Sequence, residues 1–431
     1  MKQLTLLVLL LLALPHQAVS QDEYNFDDLE DFEKKSFEWT GYVEANYKHL
    51  ILNQDSVLYR LVNFKDDDPS RNSLQSTLQL SGSYSHSIAK LYWLLEAGGT
   101  QDETEWSDYA DIYETYLTLQ PSLKFTMTSG KKVLKWGSGY AWNPVGFVQR
   151  PKNPNDPELA REGFVLAAAD YVHSYDGLLK TVSLTSLLLP VYTDCNDDFG
   201  TTDHLNLATR LYLLFLDTDI DFMFLVGESK TNRFGVDFSR NITTNLEIHG
   251  ELAWYPDYEK QIVDTTGTLH TERYDRSEAL LGLRYLTEND TTLIAELYHD
   301  GTGYSQDEMD DFYTYAESAL ERYEKTNSAK LVREALSISQ KGYIAYTPMR
   351  NYFYLKVSNK EPFDILYFTP SLTALINLDD ESFTITPECL YTGFDNFDIR
   401  FRATLYSGTE RSEYGEKKSD YKFEIRLQYY F

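Results

Sequence analysis

The chain is short of the features that mark most enzymes and metal proteins. It has two cysteines in 431 residues, Cys195 and Cys389, and neither sits in a metal-binding spacing. Zinc-ribbon and iron–sulfur classes are thereby excluded, and at most one disulfide is left. The histidines are scattered, with no HExxH pair. His173-Ser174 and His299-Asp300 are the nearest polar constellations, and neither has the spacing of a catalytic triad. Gly301-Thr302-Gly303 lacks the lysine of a phosphate-binding loop. The pattern is that of a protein that is not an enzyme and uses no cofactor and no metal. Beyond residue 20 no run of about 18 apolar residues occurs, so no membrane helix is expected there. Positive charge is the scarcer sign. Lys and Arg number 39 against 67 Asp and Glu, a formal net charge of −28 that argues against nucleic acid as a partner.

Aromatic residues are plentiful, at 15% of the chain. Their arrangement is most informative in Tyr421–Phe431, YKFEIRLQYYF. Tyr421, Phe423, Ile425, Leu427, Tyr429 and Phe431 alternate with Lys422, Glu424, Arg426 and Gln428. Alternate side chains of a strand point to opposite faces, so this segment has one apolar and one charged face. Its length matches the roughly 9–11 residues of a tilted membrane strand. A half-buried strand of a soluble sandwich has the same alternation. At the other end, Lys2 and the apolar run Leu4–Leu14 read as a secretory signal, with Ala18-Val19-Ser20 before cleavage at Gln21. The expected parts are thus a signal peptide over 1–20, a flexible periplasmic leader over 21–38 and a barrel over 39–431.

From Trp39 onward, period-two segments recur eighteen times, from 39–50 and 72–84 to 397–406 and 421–431. Sixteen strands result if two weak segments merge. With both ends of the barrel in the periplasm, the connections alternate. Turns on the periplasmic side are short, for example Gln120-Pro121 and Thr392 to Asn396. Outer loops are mostly long: 51–71, 99–109, 131–162, 190–203, 255–276, 300–349 and 407–420. A closed antiparallel barrel keeps this rhythm, whereas a soluble sandwich has no reason to. The fold class expected is therefore all-β, a transmembrane antiparallel β-barrel with long outer loops and short periplasmic turns. Within 300–349, Met309, Phe312, Tyr313, Ala316, Leu320 and Tyr323 fall at helical spacing, as does Lys330–Ser339. That loop folds over the mouth or into the lumen, or stands as a surface helix. Acidic loops such as Asp66-Asp67-Asp68 suit cation binding at a lipopolysaccharide surface; a solvated acidic face accounts for them equally.

The closing strand and its terminal Phe resemble those of bacterial outer-membrane β-barrels, in which this pattern is read by the barrel-insertion machinery. Within 131–162, the stretch with Trp136, Gly137, Asn143 and Pro144 resembles the WG…NP block of porin-like barrels related to the alginate-export group. Thr369-Pro370-Ser371-Leu372 and Asn377-Leu378-Asp379-Asp380 resemble that group too. The resemblance implies a Gram-negative outer-membrane channel whose third outer loop narrows the lumen. Lys135, Arg150, Lys152, Asp156, Glu158, Arg161 and Glu162 then become constriction charges, while an ordinary surface loop needs the same glycines, prolines and tryptophans.

The alternation also assigns the lumen face. A charge facing lipid at mid-depth costs about 2–4 kcal/mol, so strand charges should point inward. That places Arg210, Arg284, Arg350, Lys356, Arg400, Arg402, Lys422, Glu424 and Arg426 on the pore wall, with Glu247, Glu251, Glu278 and Glu296. They either select anionic solutes or form cross-barrel ion pairs. The expected function is passive passage of small, anionic solutes. Export of an anionic polysaccharide, or sheathing of a periplasmic or electron-transfer partner, are the alternatives. Expected partners are outer-membrane lipid, lipopolysaccharide and small solutes; oligomeric state leaves no trace in the pattern. Cys195 in an outer loop and Cys389 near the periplasm are too far apart for a disulfide, which needs Cα atoms within about 7 Å.

Overall fold

The computed structural model describes residues 36–65, 68–103 and 105–431. The expected signal peptide and all but the last three residues of the expected leader lie outside the described residues. The compact unit runs from Phe37 to Phe431. It contains eighteen strands: β1 (Phe37–Leu52), β2 (Ser70–His86), β3 (Ala89–Asp102), β4 (Trp106–Ser122), β5 (Phe125–Lys132), β6 (Phe164–Ser174), β7 (Leu179–Val191), β8 (His204–Phe215), β9 (Thr218–Val226), β10 (Arg233–Thr243), β11 (Leu246–Val263), β12 (Leu269–Leu286), β13 (Thr291–Asp300), β14 (Asn351–Asn359), β15 (Phe368–Asn377), β16 (Phe383–Phe394), β17 (Phe397–Ser407) and β18 (Ser419–Tyr430). Each pairs antiparallel with its sequence neighbours, and β1 pairs with β18, so the sheet closes on itself. Closure leaves no unpaired edge, which a strand structure in lipid requires.

The seam is regular. Tyr42 faces Tyr430, Ala45 faces Leu427 and Lys48 faces Glu424. Phe431 extends it, exchanging backbone hydrogen bonds with Gly41 at 3.0 and 3.2 Å. Its ring lies 5.8 Å from that of Trp39. Outward positions are apolar and exposed, as with Phe401, Phe423, Ile425 and Leu427 on β17 and β18. Their neighbours Arg402, Glu424 and Arg426 point inward and are mutually bonded or bonded to other inward groups. No helix among the described residues is long and apolar enough to cross a membrane. The membrane-spanning elements are the strands.

Two expected outer loops are shorter than the sequence pattern implies. In place of 99–109, β3 and β4 continue to Asp102 and from Trp106. In place of 255–276, β11 and β12 continue as a paired ribbon to Val263 and from Leu269. The register shifts between Tyr255 and Tyr258, where Pro256 cannot donate to the ladder, so the alternation breaks although the strands do not. Phe37 and Glu38, assigned to the leader, belong to β1. Gln120-Pro121 lies inside β4, at a second irregularity between Leu119 and Ser122.

The outer side carries three helices, α1 (Val57–Val62), α2 (Gln306–Thr326) and α3 (Lys330–Ile338). The sequence pattern indicates the second and third. A capping box starts α2: the Glu308 amide donates to Ser305 Oγ at 3.3 Å, and the Ser305 amide donates to Glu308 Oε2 at 2.6 Å. Its apolar stripe, Met309, Phe312, Tyr313, Ala316 and Leu320, is buried with residues of α1 and α3 and with inward Tyr298, Tyr352 and Tyr354. These helices therefore pack on the inner rim of β13 and β14.

Both cysteines are free. Cys195 lies between β7 and β8, and Cys389 lies on β16 opposite outward-facing Phe401. In reconstituted protein, a membrane-impermeant maleimide should label Cys195 and spare Cys389 until the barrel is unfolded. Peptide mapping that links the two cysteines would contradict the topology.

Candidate functional site

The connection between β5 and β6 holds all of segment 131–162 except Lys131 and Lys132, which belong to β5, and it turns into the barrel. Its tip is built by glycine and buried carboxylates. Gly137 has φ +90°, and a Cβ there would lie 2.7 Å from Glu251 Oε1 and from Asn143 Nδ2. This tight passage lets successive amides face the wall. Glu251 on β11 accepts from the Gly139 amide at 2.6 Å and the Val145 amide at 3.2 Å. Glu296 on β13 accepts from the Ala141 amide at 2.8 Å and also from the Tyr140 amide. His249 Nε2 lies 2.9 Å from Glu296 Oε1. Both carboxylates are almost fully buried, at 4% and 1% exposure. Charge-assisted hydrogen bonds of this kind contribute about 1.5–3 kcal/mol each.

Two tryptophans fix the flanks of the tip. Trp142 stacks on Tyr298 with ring centres 4.8 Å apart. Trp136 is buried with Val145, Phe147 and Val148 against inward residues of β6 to β9 and β11. Its carbonyl accepts from Asn143 Nδ2 at 2.9 Å and Gln149 Nε2 at 2.8 Å. Pro144 contributes its carbonyl, which accepts from the Tyr255 hydroxyl at 3.1 Å.

The returning limb crosses to the basic wall. Asp156 lies 2.9 Å from Arg402 and 3.5 Å from Arg426. Burial pushes the Asp156 carboxyl up, but Arg402 and Arg426 outweigh it and hold it below the usual carboxylate range. Arg402 also holds Glu388, Arg426 lies 3.7 Å from Glu44, and Lys422 pairs with Glu424 at 2.8 Å. Lys356 donates to the Tyr140 hydroxyl at 2.7 Å and lies 3.7 Å from Glu158. Arg400 lines a small void of about 20 Å³ in this seam, space for one water. Arg210 makes a two-pronged contact with Asp221 at 2.7 and 2.8 Å. Arg350 precedes β14 and ties down the start of α2, 3.5 Å from Glu308.

Open space lies on the other flank. An outer cavity of about 990 Å³ is lined by Arg150, Lys152, Arg161, Lys230, Arg233, Glu162, Asp198, Glu278 and Asp300, among others. An inner cavity of about 510 Å³ is lined by Lys135, Lys152, Glu158, Arg161, Glu247 and Arg284, among others. Lys152, Ala160 and Arg161 border both. Lys152 donates to the Tyr140 carbonyl at 2.9 Å, and Arg161 donates to the Arg150 carbonyl at 2.9 Å. Arg150 is paired with Glu162 at 3.0 Å and with Asp198. Burial, with Arg161 nearby, lowers the Lys152 ammonium to about 8. Burial, then Arg233 and Arg150, lowers Lys230 to about 7. Among the described residues no group of three or more His, Cys, Asp or Glu is placed to hold a metal.

Solved structures share this architecture. OpdQ of Pseudomonas aeruginosa aligns over 92% of this chain and 99% of its own, with TM-score 0.52 and 10% identity. OccK5 (OpdH) of the same organism aligns over 91% and 98%, with TM-score 0.51 and 10% identity. OccAB1 of Acinetobacter baumannii aligns over 92% and 97%, again with TM-score 0.51 and 10% identity. The fold is that of an outer-membrane porin. No family model and no curated protein matches the sequence. The apolar, exposed outer face of the closed sheet is that of a barrel that spans a membrane.

Sequence reasoning put Glu251 and Glu296 on the inner wall as two charges among many. It missed that they are the anchors of segment 131–162. Replacing both by alanine should free the tip. Trypsin should then cut after Lys152 or Arg161 at least about tenfold faster than in the unaltered protein, whose segment is held by several charge-assisted bonds. Unchanged cleavage would mean that the other contacts suffice.

Proposed function

We propose that this protein is a passive channel for small solutes with a preference for anions, narrowed by segment 131–162. The observation that carries this reading is the position of Lys152 and Arg161, bordering both cavities beside Ala160. A solute going from one cavity to the other meets two cations where the two share their lining. Lys135 and Arg284 continue the positive lining inward, and Lys230 and Arg233 continue it outward. In a low-dielectric passage such charges concentrate counter-ions.

The pore-wall assignments divide accordingly. Arg284 lines the open flank. Lys356, Arg402 and Arg426 bind the segment itself, and Lys422, Glu424 and Arg210 engage wall partners. Lys135, Arg150, Lys152 and Arg161 serve the passage, while Trp136, Gly137, Asn143 and Pro144 shape the constriction. An extended polysaccharide or a sheathed protein would need the space that the segment fills, which weighs against both alternatives.

Reversal potentials across a salt gradient in planar bilayers test the reading. The unaltered channel should favour chloride over potassium. Lys152→Glu/Arg161→Glu should move the permeability ratio toward cations by on the order of tenfold. A ratio unmoved by this double change, or the absence of any conductance, would sink the proposal.

The pH dependence has a definite sign. Lys230 and Lys152 are charged below about 7 and about 8 respectively. Anion preference should therefore fall as pH rises from 6 to 9. Lys152→Gln/Lys230→Gln should make this fall shallower. An anion preference that grows with pH would contradict the assignment.

A further inference from the structure

The eight turns opposite the long loops are not uniformly polar. The β14–β15 turn, residues 360–367, is the longest of them. Four of its non-glycine residues, Glu361, Phe363, Asp364 and Tyr367, have φ between 54° and 63°. Backbone of this kind is disfavoured and persists only where surrounding bonds enforce it. Here the Tyr367 amide donates to Glu361 Oε1 at 2.9 Å, and the Glu361 amide donates to the Phe368 carbonyl at 2.8 Å. The result is an apolar tip held away from the barrel, with Phe363 94% exposed and Leu366 62% exposed.

The same chemistry recurs around the ring. Ile88, Leu123, Leu178, Leu216, Ile242 and Phe394 are exposed in six further turns or at the strand ends beside them, Leu123 at 90%. At the β12–β13 turn, Thr287 to Asp290, the exposed apolar residue is Leu286, the last of β12. A docked protein would touch one arc of this ring. A planar apolar medium touches all of it at one level. The ring is also continuous with the lipid-facing band, since Phe394 sits beside Tyr391 and Phe397 at ring distances of 5.3 and 6.2 Å.

We propose that these turns form a lipid-contact ring set in the phospholipid leaflet, with the β14–β15 turn as its deepest wedge. The barrel then sits unevenly in the membrane. Its turns are flush with the periplasmic boundary, and the β11–β12 ribbon projects from the other side. This rests on the membrane-barrel reading and not on channel activity.

The test uses single cysteines in a Cys195→Ser/Cys389→Ser background, each carrying an environment-sensitive fluorophore, in phosphatidylcholine vesicles with brominated acyl chains. Phe363→Cys and Leu123→Cys should give blue-shifted emission, quenched about twofold, because apolar groups at the interface sink several ångströms into the acyl boundary. Thr266→Cys at the ribbon tip should remain water-like. Phe401→Cys, on the outward face of β17, is the internal standard. If it is quenched and both turn labels are water-like, the lipid-ring proposal is overturned and the turns belong to water or to a protein. If Phe401→Cys is itself unquenched, the barrel reading fails with it.

Discussion

Lipid will not accept charge, and this constraint organises the molecule. A charged side chain on the outer face at mid-depth costs about 2–4 kcal/mol. Strand charges are thus driven inward, where Arg402, Glu424, Arg426, Asp221, Glu251 and Glu296 meet in a confined space. Buried charge is tolerated only when it is paired or hydrogen-bonded. The wall solves part of this locally, as Arg210 does with Asp221 on the adjacent strand. The rest is solved by segment 131–162, which brings backbone amides to Glu251 and Glu296 and a carboxylate to Arg402 and Arg426.

The position of this segment is therefore a consequence of wall chemistry. It offers N–H donors to the acidic wall of β11 and β13. To the basic wall of β14, β17 and β18 it offers Asp156 and Glu158. Sealing that basic side leaves the cavities beside the other flank, where Lys152 and Arg161 remain at the junction. The same charges that lipid excludes thus fix where space is left inside the barrel. On the rim of β13 and β14, Tyr298 and Tyr352 donate their hydroxyls to Glu278 and Glu413 and lay their rings against the apolar stripe of α2.

The eighteen-strand fold was legible because lipid imposes a strict two-residue period, and β18 shows it without interruption. The stripe of α2 was legible because burial of one helix face on the inner rim imposes the helical period. The ribbon beyond Tyr255 was not, since outside the membrane nothing enforces alternation and the shift at Tyr255–Tyr258 reverses what remains. Nor was α1, whose six residues are too few to show a period. Within the site, Trp136, Gly137, Asn143 and Pro144 stood out by their resemblance to the WG…NP block of porin-like barrels. The anchors Glu251 and Glu296 did not, because each lies more than a hundred residues from the amides it binds. For Arg402 and Arg426 the pattern left pore charge and cross-barrel ion pair both open, and it could not name the partner, Asp156, which is distant in sequence.

The central claim is that the route runs on one flank of the segment only. Thiol modification read by single-channel current tests it most directly, in a Cys195→Ser/Cys389→Ser background. Ala160→Cys, at the junction of the two cavities, should react with a charged methanethiosulfonate and lose most of its conductance. Thr373→Cys, in the sealed seam beside Arg400, should leave the current unchanged under the same reagent. Block at Thr373→Cys without block at Ala160→Cys would contradict the account.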